Sequence, residues 1–369
     1  MTDKVRIGFA GVGAMGQAAH LRNYITIPEC EVAAIAEPRP ILRDAVARKY
    51  GIDKTYATGE EMIAAEELDG IVAIQQFAFH GTIIPPLYAA GVPVFTEKPL
   101  AISLPVAERM LSALAESGTW QMVGYHRRSD PATMYAKDEI DRLKTTKELG
   151  ALKYVRISVS LGDWVAGGFR DVIRTDEPVP LIEPDVPRGS DKAFKHLMNS
   201  YSHQINLLRH LLGEPYTVGY ADPSGVVLAG SSQSGVPGVI EFSPYKTTLD
   251  WQETAFVAFE RGWIKIALPP PVALNRPGQV EIFRDPGDGQ APEHITPTLP
   301  STHAMYQQAV NFIRAIKGEA EPPCTAQEAM LDLVNARQYM NLLEKQECLS
   351  NSRMFLSPPR ALKQPQCST

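Results

Sequence analysis

Near the amino terminus, Gly11-Val12-Gly13-Ala14-Met15-Gly16 follows directly on an alternating run from Val5 to Ala10 and opens an amphipathic stretch that reads as a helix. Alone the motif is weak, and its weight comes from the strand before it and the helix after it. Between a strand and a helix, the glycines of G-x-G-x-x-G serve three different ends. Gly11 permits the tight turn, Gly13 lets backbone approach a pyrophosphate, and Gly16 allows close helix–strand packing. The unpaired N–H groups at the helix start, with Ala14 and Met15 in the turn, then face the anion. Glu37 lies 21 residues past Gly16 at the end of the next predicted strand, where such a turn is partnered by a carboxylate for the adenosine ribose hydroxyls. Arg39 leaves the cofactor choice open, because a guanidinium there can hold a 2′-phosphate whereas Glu37 repels one. The reading favours NAD, with NADP as the alternative.

The first 125 residues continue in the same alternation. Strands are predicted at Val5 to Ala10, Glu31 to Ala36, Gly70 to Ile74, Val92 to Thr96 and Trp120 to Gly124, with helices at 3.6 spacing between them. Gly51, Gly91 and Gly118 stand as helix stops. This is the pattern of a doubly wound parallel sheet. After Gly124 the rhythm changes: a helix from Pro131 to Thr145, a strand near Ala151 to Leu161, a Gly-, Pro- and Asp-rich stretch from Asp163 to Asp191, and a helix from Phe194 to Leu212. A structureless stretch of that length reads as a working loop. Closely spaced β-patterned segments follow between Tyr216 and Arg284, Lys246 to Ala258 among them, better suited to an antiparallel sheet than to further βαβ units. Helices at His303 to Lys317 and Thr325 to Glu344 close the fold. The expected organisation is therefore α/β: a Rossmann domain over 1–125, a second α/β domain over 126–345, and a loosely attached tail over 346–369.

Composition narrows the function classes. A net charge of -6 argues against a nucleic-acid surface, and no apolar run approaches the ~18 residues of a membrane span. The amino terminus lacks the apolar core of a secretory signal. Four cysteines are scattered without a C-x-x-C pair, so no metal site is expected and reduced thiols in the cytoplasm are the simpler reading.

Thr96-Glu97-Lys98-Pro99, at the end of the predicted strand after Gly91, resembles the E-K-P signature of the glucose-fructose oxidoreductase/inositol dehydrogenase/MocA-like family. Physically, Lys98 leaves a parallel strand at its carboxyl end, where open α/β sheets bind ligands. Partly desolvated beside a nicotinamide, it could exchange a proton or polarise a carbonyl. Further segments in order extend the resemblance from Val5 to about Met340: Asp69 to Ile74 followed by His80, Gly124-Tyr125-His126-Arg127-Arg128, Asn311-Phe312 through Gly318, and Cys324-Thr325-Ala326. The resemblance implies a Rossmann domain followed by an α/β domain with an open, largely antiparallel sheet, which often forms the interface of a homodimer or homotetramer. It also implies that Gln76, His80 and Glu97 lie along the cofactor, with the substrate pocket over the nicotinamide.

Two departures from the family pattern stand out. Members commonly carry D-x-x-x-H on the helix opening the substrate domain, and the matching residues here are Asn199 and His203. At i and i+4 both can project into one pocket, but an amide cannot stabilise an imidazolium as a carboxylate does. His203 is then the weaker proton carrier, or Lys98 bears more of the acid–base work. Ahead of His80, Gln75-Gln76-Phe77 replaces the T-P-N-like turn that lies against the cofactor.

The expected activity is hydride transfer between nicotinamide and a hydroxyl or keto carbon of a sugar, sugar derivative or cyclic polyol. Lys98, His203 and Asn199 would form the catalytic set, and Tyr125, Arg127 and Trp164 would meet substrate hydroxyls; Trp164 reads equally as a stacking platform or as core. Two alternatives remain at this level: a glycosidase that retains NAD for transient oxidation and elimination, and a ligand-sensing relative without turnover.

Overall fold

The computed structural model describes residues 4–180, 182–185, 191–287 and 289–355. Six strands, β1 (Val5–Ala10), β2 (Cys30–Ala36), β3 (Thr55–Tyr56), β4 (Gly70–Ala73), β5 (Val94–Glu97) and β6 (Gln121–Gly124), form one wholly parallel sheet in the order 3-2-1-4-5-6. That order reverses between β1 and β4, which opens a crevice at their carboxyl ends. The connections are a π-helical segment Gly16–Leu21 running into α1 (Arg22–Tyr24), then α2 (Pro40–Tyr50), α3 (Gly59–Ala65), α4 (His80–Leu87) and α5 (Leu104–Ser117). Gly51, Gly91 and Gly118 take the left-handed conformation just past their helices, with φ of 67°, 68° and 71°, because only glycine reaches it without a Cβ penalty.

The chain then builds a second layer from α6 (Pro131–Thr146), β7 (Leu152–Ser160), α7 (Lys192–Leu212), β8 (Tyr216–Ala221), β9 (Val227–Ser232), β10 (Pro237–Phe242), β11 (Gln252–Phe259), β12 (Gly262–Leu268), β13 (Gln279–Arg284) and β14 (Glu293–Ile295). The eight strands lie in the order 14-13-12-11-7-10-9-8, antiparallel throughout except for the β7–β10 pair. Alternation along β7 and β11 puts Val155, Ile157, Ala255 and Val257 on one buried face, which shares a core with Leu207, Leu208 and Leu211 of α7.

The last two helices, α8 (Ala304–Ile316) and α9 (Ala326–Phe355), return to the first sheet. Phe312 of α8, fully buried, packs on Phe95 and edge-on against Trp120, with ring centroids at 5.7 Å in each case. Just ahead of α9, the Cys324 carbonyl accepts from Val123 N at 2.9 Å, bridging to β6. The sequence pattern stops this last helix at Glu344 and starts a loose tail at 346; the backbone instead stays helical to Phe355, since no proline or glycine interrupts it, and 356–369 lie outside the described residues. Likewise Lys246 to Asp250, expected as strand, is an irregular approach to β11, whose strand starts at Gln252. No helix among the described residues is long and apolar enough to cross a membrane.

Because Phe312 joins the chain's end to its beginning, Phe312→Ala should lower unfolding stability by roughly 3–5 kcal/mol through the cavity it leaves. Urea unfolding followed by tryptophan fluorescence checks this, and a change under about 1 kcal/mol would show that α8 is not part of the cooperative core.

Candidate active site

At the switch point the glycine turn is shaped by close approach. Gly11 has φ +99°, and a Cβ there would stand 2.5 Å from the Ile74 carbonyl oxygen. A Cβ on Gly16 would meet the Gly11 carbonyl oxygen at 2.5 Å. Gly13 differs: its nearest neighbour is Arg39 Nη2, 3.4 Å from the Cβ position, so this side of the turn is open. Ala14 and Met15 begin the helix, and its first amides have no carbonyl behind them to bond. Glu37, buried at the end of β2, accepts from Val12 N at 3.2 Å through Oε2 and from Arg39 Nε at 2.6 Å through Oε1. An open glycine face, free helix-start amides and a carboxylate at the end of β2 fit a dinucleotide, with its pyrophosphate at the turn and its adenosine ribose at Glu37.

A second group stands at the carboxyl ends of β5 and β6. Glu97 pairs with His20 Nε2 at 2.8 Å through one oxygen and accepts from Lys98 N at 3.1 Å through the other. Burial works against its charge, yet the His20 and Lys98 contacts prevail and hold its carboxyl below the usual range. Lys98 Nζ donates to the Asn199 carbonyl oxygen at 2.7 Å, and burial lowers its pKa against the opposing pull of Glu97. His203, one turn further along α7, sits edge-on to His126 with ring centroids 4.2 Å apart, and to Tyr125 at 5.9 Å. Burial first, then His126, Lys98 and Arg127, push His203 well below the ordinary imidazole range. Its Nδ1 is buried without a partner, so Nε2 is the nitrogen left to meet a ligand.

The structure therefore brings Lys98, His203, Glu97 and the glycine turn together, and treats several other expected residues differently. Asn199 is exposed and contributes its backbone carbonyl, not its amide, so the i, i+4 spacing places no acceptor on His203 Nδ1. His80 is fully buried, with Nδ1 3.0 Å from the Leu100 carbonyl and Nε2 3.3 Å from that of Gln75. Both nitrogens face backbone, so His80 tethers two loops and has none to offer a cofactor. Gln76 is exposed, while its neighbour Gln75 turns inward to donate to the Ala10 carbonyl at 3.1 Å. Arg127 is buried against the Glu253 carboxylate and donates to the Pro269 carbonyl at 2.9 Å, which makes it a buried ion-pair partner instead of a free ligand. Tyr125 is likewise buried, its hydroxyl unpartnered. Trp164, 44% exposed, packs edge-on against Phe169 within the long loop, which settles the choice between platform and core in favour of an exposed position.

Two members of the cluster carried no assignment from sequence. His126 is 1% exposed with neither ring nitrogen hydrogen-bonded, and burial, then Arg127, Lys98 and His20, drive its pKa well below the ordinary value. The signal was available, since His126 follows β6 as Lys98 follows β5, at the same edge of the same sheet. His20 had no comparable signal, being one more residue of an amphipathic stretch.

A glycine turn at the switch point, a strand-end carboxylate and a desolvated lysine at the same sheet edge define a nucleotide-dependent oxidoreductase. The chain belongs to the glucose-fructose oxidoreductase/inositol dehydrogenase/MocA family: residues 5–125 match the family described as "Oxidoreductase family, NAD-binding Rossmann fold", whose members are NAD-dependent dehydrogenases acting on CH–OH groups. It is 31% identical to the rhizopine catabolism protein MocA of Rhizobium meliloti over 93% of this chain and 96% of that protein. Similarity to the scyllo-inositol 2-dehydrogenase (NAD(+)) of Bacillus subtilis is 30% identity over 38% of this chain and 41% of that protein. Among solved structures, the WlbA dehydrogenase of Bordetella pertussis, in complex with NADH and UDP-GlcNAcA, shares the fold at a TM-score of 0.68 and 17% identity, covering 94% of this chain and 97% of that one.

The buried histidines give an acid sensitivity with a definite sign. An unfolded histidine titrates near pH 6.5, whereas burial lowers His80, His126 and His203, and lowers His303 to about 4. Their contribution is complete above pH 6.5 and is lost as pH falls toward the depressed values; for His126 the slope is up to about 1.4 kcal/mol per pH unit. The urea midpoint should fall steadily between pH 6.5 and 5, and His126→Gln should flatten that dependence. An identical slope in wild type and variant would show that His126 is already solvated.

Proposed function

We propose that the chain catalyses reversible oxidation of a secondary hydroxyl on a sugar, sugar derivative or cyclic polyol, with NAD as the hydride carrier. The observation that carries this reading is Lys98, a desolvated amine beside the neutral-leaning imidazole of His203, at the sheet edge that the glycine turn shares. Bound nicotinamide supplies the hydride acceptor or donor at its C4. Gly11, Gly13, Ala14 and Met15 hold the pyrophosphate and Glu37 the ribose hydroxyls. Lys98 is held to the Asn199 carbonyl by one N–H and, as an ammonium, has two more donors, one of which hydrogen-bonds the reacting oxygen. Loss of hydride from an alcohol requires loss of the hydroxyl proton, and neutral His203 takes it at Nε2.

With no acceptor behind Nδ1, the imidazolium gains no partner, so Lys98 carries the larger share of stabilising the oxygen. Glu37 supports NAD over its phosphorylated form. The names of the relatives, a scyllo-inositol dehydrogenase among them, and the nucleotide sugar of the WlbA complex support the polyol or sugar class. The open face of the second sheet, with Phe256, Trp263 and Phe283 packed side by side, is the surface on which a homo-oligomer would form.

Lys98→Ala should lower kcat in a polyol-dependent NAD reduction assay by roughly 10²–10⁴-fold while NAD binding, followed by fluorescence quenching, persists. Undiminished turnover in the folded variant would remove Lys98 from the chemistry, and with it this reading.

A further inference from the structure

The segment after β7 runs back across the first domain and is fastened there at successive points. The Gln17 side chain bonds both backbone groups of Ile173, donating at 3.1 Å and accepting at 2.9 Å. Arg22 Nη1 donates to the Gly168 carbonyl at 2.8 Å. Further along, the Glu177 carboxylate accepts from Ile41 N and Leu42 N, both at 2.9 Å, one to each oxygen, and is itself braced by the Thr175 hydroxyl at 3.0 Å. Those two amides are in the first turn of α2, immediately after Glu37 and Arg39.

This is an unusual way to finish a helix. Arg39 occupies the N-cap position and makes no side-chain cap bond, although a local Ser, Asp or Asn would serve at that place. The cap instead arrives from a residue 135 positions away in sequence, and it arrives as a full negative charge. Arg39 is drawn to two carboxylates: its Nε bonds Glu37 at 2.6 Å, and Glu177 acts on it through space.

A phosphate on the 2′-oxygen of an adenosine ribose held by Glu37 would project toward this corner. It would need a guanidinium and free helix-start amides. Both are already committed to carboxylates. We propose that Glu177 is a specificity-determining residue that excludes 2′-phosphorylated dinucleotides, so that selectivity for NAD is set by the long loop of the second layer together with Glu37. The inference rests on the dinucleotide reading of the glycine turn. A phosphate entering this corner must displace the Glu177 carboxylate, taking the α2 cap with it, or stand against its charge; NAD, with a hydroxyl at that carbon, meets neither obstacle.

The test is titration of the full-length protein with NAD, NADP, 5′-AMP and 2′-AMP by isothermal calorimetry, in wild type, Glu177→Gln and Glu177→Ala. Glu177→Gln keeps an oxygen for the amides while removing the charge, and so covers the case in which the alanine variant loses its fold. The expected result is a shift of the NADP-to-NAD affinity ratio toward NADP by about tenfold or more in both variants. Tighter 2′-AMP binding should accompany it, and adding Arg39→Ala should cancel it. A ratio unchanged within about twofold in a folded variant that still binds NAD overturns the role of Glu177 alone. Failure of the wild type to bind either dinucleotide overturns the reading of the glycine turn, a separate outcome visible in the first titration.

Discussion

The arrangement of the site depends on a group of charges whose members, apart from the half-buried Glu328, have almost no access to water. Asp332 of α9 is fully buried and holds Arg209 of α7 through two bonds, at 2.8 and 3.0 Å. Arg128, just past β6, donates to Asn206 of α7 at 2.7 Å and to the Pro323 carbonyl at 2.6 Å; Asn206 in turn donates to Asp332 at 2.6 Å. Glu328 closes the group, 3.1 Å from both Arg128 and Arg209. Charges taken this far from water are tolerable only while paired, and losing one partner leaves the other at a cost of several kcal/mol. Three pieces distant in sequence, the exit of β6, the middle of α7 and the start of α9, are thus held in one relative position. His203 lies three residues before Asn206 on the same helix, so the cluster fixes where on the molecule it emerges. It fixes His126 as well, two residues before Arg128.

Glu97 makes the complementary connection inside the first domain. Its carboxylate joins His20, in the π-helical segment that follows the glycine turn, to the backbone of Lys98. Segments of this helix type are wider than α and recur at functional positions; here the segment brings His20 within 2.8 Å of Glu97. On the proposed reading, this couples the element that would meet the pyrophosphate to the lysine that would meet the reacting oxygen. The His20 and Lys98 contacts outweigh burial and hold the Glu97 carboxyl below its ordinary range.

The parallel half of the fold was readable because each strand is a short apolar run and three of the helices end on a glycine that the backbone uses in the left-handed region. What escaped had little local signal. β3 is two residues and β14 is three, too short for any period to emerge. The parallel partnership of β7 with β10 joins segments separated by α7 and two other strands, and nothing in either strand encodes its neighbour. The run from Lys246 looked strand-like because it is continuous with β11, yet its first part bends away, and Thr247 N donates to the Leu161 carbonyl just after β7 at 3.2 Å. Within the site, Gly11, Glu37 and Lys98 follow from fixed spacings on a known sheet edge. Arg127 was read as a ligand contact from its side-chain type, whereas its burial against Glu253 commits it to an ion pair. Glu177 was invisible, since its significance arises only when an aperiodic loop crosses to another domain.

Asn199, where the family resemblance expects an aspartate, has an exposed side chain and serves the reacting centre through its backbone carbonyl. Lys98, Arg127 and His126 all act on His203 in the same direction, against its protonation, and no carboxylate opposes them at Nδ1. The two nearby acids are engaged elsewhere, Glu97 with His20 and Glu253 with Arg127. On the proposed chemistry, an oxygen that is losing its proton carries developing negative charge, and a cation fixed beforehand in a desolvated site stabilises that charge without reorganising. When protonated, Lys98 would be such a cation, anchored by the Asn199 carbonyl, which belongs to the helix backbone and survives any change of side chain at that position. On the proposed chemistry, the reaction then leans more on a lysine that holds an oxyanion than on a histidine that collects a proton.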